Sequence, residues 1–181
     1  MTIEIIQKSR ISNWYDIIID EEIKYSAARE SSLTYSDLRL FDINGNCVAW
    51  LRNRSTVFKT DFNFRLTNGD FVNYKSISWR GHYNCLYNQD TYDIYRHLGN
   101  KYSIYKNNSQ IAWWDNNVAF SINKDRIRVT ANTDCDEQLI IAFVISTTGL
   151  NLRGQSSNAL SMDIGNIIPG LKKFNYNWQP H

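Results

Sequence analysis

Short alternations of apolar and polar residues run along most of this chain, broken by turn residues every eight to twelve positions. Phe62, Phe64 and Leu66 interleave with Asn63 and Arg65, and Leu38 and Leu40 flank Arg39. Period two is the mark of a half-buried strand. Trp14–Ile19, Cys47–Leu51, Phe71–Tyr74, Ile77–Trp79, Asn84–Tyr87, Tyr92–Arg96, Tyr102–Tyr105, Gln110–Trp114, Val118–Ile122 and Arg126–Ala131 read the same way. In the last, Ile127, Val129 and Ala131 face one side and Arg126, Arg128 and Thr130 the other. Between them lie Asp42-Ile43-Asn44-Gly45-Asn46, Asn68-Gly69 and Asn107-Asn108, all turn chemistry, with Asn-Gly the strongest short hairpin signal. Arg80-Gly81-His82 reads as a bend or bulge. Two stretches differ. Glu21–Ala28 holds helix formers and predicts a short helix, and Ser31-Ser32 predicts a loop.

Leu139–Ile145 breaks the alternation with seven consecutive apolar residues. Acids precede the run at Asp134, Asp136 and Glu137, where a helix dipole favours them, and Gly149 follows it as a natural C-cap residue. A helix apolar on every side must be buried on every side. The β-branched Ile140, Ile141, Val144 and Ile145 also suit a buried strand, so this reading stays open beside the helical one. At about 1.5 Å per residue, a helix over residues 136–148 is roughly 20 Å long, too short to cross a bilayer.

Ten to twelve short strands are the number of a closed barrel or a sandwich. A barrel of that size needs its lumen filled, and Leu139–Ile145 is the obvious filling. The expected fold is therefore mainly β: ten to twelve antiparallel strands, as a closed barrel or a sandwich, enclosing a central hydrophobic C-terminal helix. Residues 1–35 join the barrel, 36–149 supply strands and helix, and 150–181 form an extension packed on the barrel wall or a partner.

Composition narrows the functional classes. Among 181 residues only two are proline and eight glycine, so no long flexible linker is expected. Net charge is +2, with no run of Lys or Arg beyond two, so no nucleic-acid partner is expected. Cys47, Cys85 and Cys135 are odd in number and far apart, and are expected as buried reduced thiols in a cytoplasmic protein. Met1-Thr2-Ile3-Glu4 has neither the basic nor the apolar part of a signal peptide, and no transmembrane segment is expected.

Candidate chemistry is sparse. His82 and Cys85, three residues apart on a strand, fall on opposite faces and do not make a nucleophile pair. His82, His97 and His181 lack metal-ligand spacing with the cysteines and read as surface imidazoles. Asp136-Glu137 is explained by its place at a helix start, and no phosphate loop, dinucleotide fingerprint or serine-hydrolase elbow occurs. The expectation is no enzyme, no catalytic residue, no metal and no cofactor. Arg52, Arg54 and Lys59, in a turn-rich stretch, are the candidates for an anionic ligand, with Arg126 and Arg128 second. In Trp113-Trp114 one ring faces outward, to pack beneath a loop or meet a partner.

Asp42-x-Asn44-Gly45, Thr67-Asn68-Gly69-Asp70, Tyr102–Lys106, Ile111–Trp114 and Ala131-Asn132-x-Asp134-Cys135-Asp136 precede the apolar segment in that order. In this order over residues 36–149 the chain resembles the tubby C-terminal-domain-like superfamily, in particular its LURP-one-related and phospholipid-scramblase-like branch. The resemblance implies a twelve-stranded barrel threaded by a hydrophobic helix. It also implies a non-enzymatic domain that binds an anionic phospholipid headgroup or a protein partner. The tubby Lys/Arg phosphoinositide motif has no equivalent here, nor do the scramblase Cys-rich cluster and Pro-rich arm, so the resemblance assigns no binding residue. The competing expectation is a lipocalin-like barrel carrying a small hydrophobic ligand, which needs Leu139–Ile145 outside the barrel.

Overall fold

A computed structural model describes residues 1–8, 13–31, 36–55, 60–78, 81–97, 99, 101–115, 126–148 and 172–181. Twelve strands follow in order: β1 (Thr2–Gln7), β2 (Trp14–Ile19), β3 (Glu22–Ser31), β4 (Ser36–Asp42), β5 (Cys47–Ser55), β6 (Thr60–Leu66), β7 (Phe71–Ser78), β8 (His82–Tyr87), β9 (Asp90–Arg96), β10 (Lys101–Lys106), β11 (Ser109–Asp115) and β12 (Arg126–Ala131). Among the described residues one helix, α1 (Glu137–Thr148), follows the strands. Every strand pairs antiparallel with its sequence neighbours, and β1 pairs with β12 to close the barrel. Ile3 sits opposite Val129 and Ile5 opposite Ile127 at the closure. A closed barrel has no free edge to pair with another chain.

One rim is made of tight turns. Asp20-Glu21, Asn88-Gln89 and Asn107-Asn108 each carry two consecutive residues at positive φ, from 48° to 74°. Two such residues make the type I′ turn that matches the twist of the flanking strands. Gly45 and Gly69, at φ 81° and 86°, close two further turns on this rim.

Glu21–Ala28 is not a helix. Glu21 is the second turn residue at φ 74°, and Glu22–Ser31 is the longest strand, paired with β2 and β4. Pairing on both sides outweighs a local preference worth tenths of a kcal/mol per residue. The bend expected near Gly81 is present: β7 shifts register against β8 between Ser76 and Ser78, and Gly81 lies at φ 84°. A Cβ at Gly81 would stand 2.6 Å from the Cβ of Arg96, so the close approach itself demands glycine. The expected strand at Val118–Ile122 and the Gly149 cap lie outside the described residues.

Inward-facing side chains, among them Ile3, Ile17, Leu40, Phe62, Phe64, Val72, Tyr74, Ile94, Ile104, Trp114 and Val129, are at most 2% exposed. Outward positions carry Glu4, Arg39, Asn63, Arg65, Asn73 and Asn84. That order is the reverse of a lipid-facing barrel, whose apolar side is outermost.

The helix occupies the lumen. Leu139–Thr147 are all at most 4% exposed, which no helix lying on an outer wall achieves. Phe143 meets three inward rings, with centroids 5.6 Å from Phe64, 5.4 Å from Tyr74 and 5.9 Å from Tyr92. Asp136 caps the helix, its Oδ1 accepting the Leu139 N–H at 3.0 Å. Glu137 accepts from Lys24 Nζ and the Tyr25 hydroxyl at 3.3 Å each, tying the first turn to β3.

Two hydroxyls go into the core with the helix and are satisfied there. Thr147 Oγ1 donates back to the Phe143 carbonyl at 2.8 Å, and Ser146 Oγ lies 2.8 Å from the Tyr74 hydroxyl. Burial drives the Tyr74 hydroxyl well above its ordinary pKa, helped by Tyr83, so it stays neutral. Burial of Leu139–Ile145 contributes on the order of 10 kcal/mol at most. Among the described residues no helix is long and apolar enough to cross a membrane.

Phe143→Ala empties a ring-sized volume walled by three aromatic rings. It is expected to cost about 3–5 kcal/mol, read as a lower urea midpoint at unchanged m-value.

Candidate functional site

With the lumen full, a ligand has room at the barrel mouth, where Tyr25, Thr67, Asn68 and the acidic Asp136 and Glu137 line a pocket of about 360 Å³, or on the outer wall. Residues directly opposite on paired strands share a face, so the register defines one row across six strands: Trp14, Ala28, Arg39, Trp50, Arg65 and Phe71. Arg39 and Arg65 bracket Trp50. Strands about 4.8 Å apart put the two positions roughly 10 Å from one another. Trp14 and Phe71 remain 47% and 66% exposed at the ends of the row. Phe41, one position off it, stacks on Trp14 with centroids 6.0 Å apart. A groove of about 530 Å³ runs along this wall, lined by Arg39, Phe41, Cys47, Trp50, Arg65 and Thr67 among others.

Charge in the groove is positive. Arg39 has one exposed contact to Glu30 at 3.4 Å. Arg65 is exposed and makes no ion pair among the described residues. The Trp50 indole N–H is buried with no acceptor among the described residues. Two guanidiniums flanking an aromatic ring are an arrangement that takes an anion.

Of the residues expected to bind an anion, Arg52 lies beside this groove but is engaged. Its Nε and Nη2 donate to the two Asp37 oxygens at 3.0 and 2.9 Å, and Asp37 is only 4% exposed. The same guanidinium lies 4.7 Å from the centre of the Trp50 ring. The Arg52 head group is therefore a strut holding Trp50 in place. Arg54 is on β5 opposite Asp61, and its backbone alone is described. Lys59 lies outside the described residues.

Arg126 and Arg128 converge on Glu4 across the β1–β12 closure. Arg128 donates to Glu4 Oε1 from Nε at 3.0 Å and Nη2 at 2.9 Å, and Arg126 donates to Oε2. A groove of about 740 Å³ adjoins them, but Glu4, Asp20 and Glu21 also line it, so its acids outnumber its two arginines. Partial burial pushes the Glu4 carboxyl up, while hydrogen bonds and charge from both arginines outweigh it and hold it below its ordinary 4.5.

The sulfur and imidazole groups divide. Cys47 is exposed, against the expectation of burial, because it begins β5 at a rim turn. Cys85 is buried and its thiol is pushed up to about 12 by burial and then by Asp93. Cys135 is partly buried, and burial, then Asp134, raises it to about 11. A thiol held that high is a poor nucleophile near neutral pH.

His82 is half-buried, Nε2 lying 2.9 Å from Asp93 Oδ1, its ring stacked 4.3 Å from Tyr95. It faces away from the inward Cys85, as strand alternation requires. His97 is not a surface imidazole: it is 6% exposed, and Nε2 lies 2.6 Å from the fully buried Ser103 Oγ. With Phe174 seated against His97, this serine–histidine contact offers a substrate no approach. Among the described residues no group of three or more His, Cys, Asp or Glu converges on a metal-sized point.

The arginine–tryptophan row is what reading the sequence missed. Arg39 and Arg65 are marked as outward by their apolar flanks, but only the register brings them to either side of Trp50. No family model, curated protein or solved structure matches this chain.

Glu4→Gln tests the closure pair. The Glu4 pKa is lowered in the folded chain, so its stabilisation is present above pH 4.5 and lost as pH falls through the folded value. The wild-type advantage over Glu4→Gln is expected to be about 1 kcal/mol or less at pH 7 for such exposed guanidiniums, to shrink with salt, and to vanish in acid. Denaturant melts across pH read it.

Proposed function

We propose that this protein is a non-enzymatic, tubby-like binding domain of the cytoplasm that engages an anionic phospholipid headgroup through its outer wall at β4–β6. The observation that carries this reading is the groove in which Arg39 and Arg65 flank Trp50. Arginines offer forked donors to phosphate, and exposed aromatics beside them suit a headgroup interface. Trp14, Phe41 and Phe71 extend the apolar part of that surface on either side. The three free cysteines support a reducing compartment. The closed barrel around an apolar helix is the arrangement that the tubby resemblance implies, and that agreement supports the assignment.

A lipocalin-like carrier needs an empty lumen. The buried α1 argues against one, since Leu139–Thr147 fill that space. A protein partner bearing acidic groups is the other occupant the wall suits, and the vesicle experiment separates the two.

Co-sedimentation with vesicles of neutral phosphatidylcholine, with and without phosphatidylserine or a phosphoinositide, tests the proposal. Binding is expected only with anionic lipid, and it is expected to weaken as salt rises. Each arginine near such a surface contributes about 1 kcal/mol, so Arg39→Ala with Arg65→Ala is expected to lower affinity roughly 30-fold. Trp50→Ala is expected to weaken it further. Equal recovery with neutral and anionic vesicles would remove the lipid reading. Arg52→Ala is a poor probe, because it strands the nearly buried Asp37 carboxylate.

A further inference from the structure

Residues 172–181 form a strap on the outside of the barrel, on the wall of β10 and β11, away from the β4–β6 groove. Its anchors are one buried ring, two cations over aromatic faces and a set of surface hydrogen bonds, with His181 bonded to both Asn132 and Thr133. Lys172 Nζ stands 4.0 Å from the centre of the Tyr105 ring and donates to the Asn108 carbonyl at 3.2 Å. Phe174 is 9% exposed, edge-on to Trp113 at 5.5 Å and to His97 at 5.3 Å. Lys101 Nζ closes that cage at 5.1 Å from the Phe174 ring. The chain then turns, and the Trp178 indole N–H donates to the Gln110 carbonyl at 3.0 Å. His181 finishes the strap, its backbone N–H donating to Asn132 Oδ1 at 3.2 Å.

The rest of the strap is exposed, Tyr176 by 72%. Only Phe174 is buried, and the remaining contacts sit at exposed or half-buried positions, so the strap is held less firmly than the paired strands beneath it. Residues 149–171 join it to α1. What seats it is the chemistry of the wall: an aromatic slot for a ring, a tyrosine face for a cation and a backbone carbonyl for an indole.

We propose that the outer wall of β10–β11 is a peptide-binding site whose resident occupant is residues 172–181. An external segment of the same chemistry, a cation followed two residues later by an aromatic ring and then by a tryptophan, takes the site when the strap lifts. The strap is then a competitor in cis, and it sets the concentration at which a partner segment gains entry. This site is separate from the anionic groove, and neither depends on the other.

A fluorescently labelled synthetic peptide of residues 172–181 tests this, titrated into the full chain and into its Phe174→Ala variant, whose own strap is released. The tethered strap competes at an effective concentration near the millimolar range. The peptide is therefore expected to bind Phe174→Ala at least tenfold more tightly than wild type. A peptide carrying the same Phe174→Ala change is expected to bind neither chain.

No binding to a folded Phe174→Ala chain, or equal binding to both chains, would overturn the proposal. If Phe174→Ala does not fold, Trp178→Phe decides. It removes the hydrogen bond to Gln110 and part of a half-buried ring, so peptide affinity is expected to rise severalfold, and no rise refutes the site. Dimerisation of the wild type that Phe174→Ala abolishes would put the strap in a second copy and overturn the cis assignment. Vesicle binding is expected to be the same for wild type and both strap variants, so failure here is distinct from failure of the lipid reading.

Discussion

A twelve-stranded barrel lined with apolar side chains exposes that lining to water unless its lumen is filled. Eight strands leave an interior that inward side chains fill by themselves, and each added strand widens it. With twelve, the space left inside is about that of a helix and its side chains, some 10–12 Å across. This chain meets the constraint with Leu139–Ile145, enclosed on all sides. The dependence is mutual: a helix with no polar face has nowhere else to go, and a sheet of this length has no other filling. The contacts of Phe143 with Phe64, Tyr74 and Tyr92 join the helix to three strands, β6, β7 and β9, at one level of the barrel. The polar groups that travel inward are handled locally. Thr147 returns its hydroxyl to the helix backbone, and Ser146 shares its own with Tyr74.

Filling the lumen moves every recognition surface to the outside. There the wall is divided into sectors by what covers it. Over β10 and β11 the chain covers itself with residues 172–181. At the β1–β12 closure two arginines are taken up by Glu4. Over β4–β6 positive charge and aromatic surface remain open to solvent, organised around Trp50. Each sector is built from outward positions whose inward neighbours belong to the core, so changes there leave the barrel largely undisturbed. That separation leaves the outer wall free to vary without disturbing the core.

Much of the architecture was legible in the sequence because two of its signals are purely local. Alternation at Phe62–Leu66 and Arg126–Ala131 gives strand and face together, and the solid apolar run at Leu139–Ile145 gives the filling. The errors fall where distant residues decide. Glu21–Ala28 contains good helix formers, yet its pairing with β2 and β4 makes it a strand. His97 looks like a surface imidazole until residues 172–181, far along the chain, cover it. Arg52 was readable as a cation but not as the partner of Asp37, because that pairing exists only in the β4–β5 register. Arg39 and Arg65 were readable as outward, but not as flanking the same indole. Register is fixed by the whole barrel, and no short window of sequence contains it.

Hydrogen exchange of the backbone amides from Leu139 to Thr147 is the most direct measure of whether the helix is the barrel's internal support. If it is enclosed as described, those amides exchange only through global unfolding, with the same opening free energy as the inward strands β6 and β7. Exchange of the helix amides through a cheaper local opening, while the strands stay protected, would show a barrel that stands without its helix and would contradict the account.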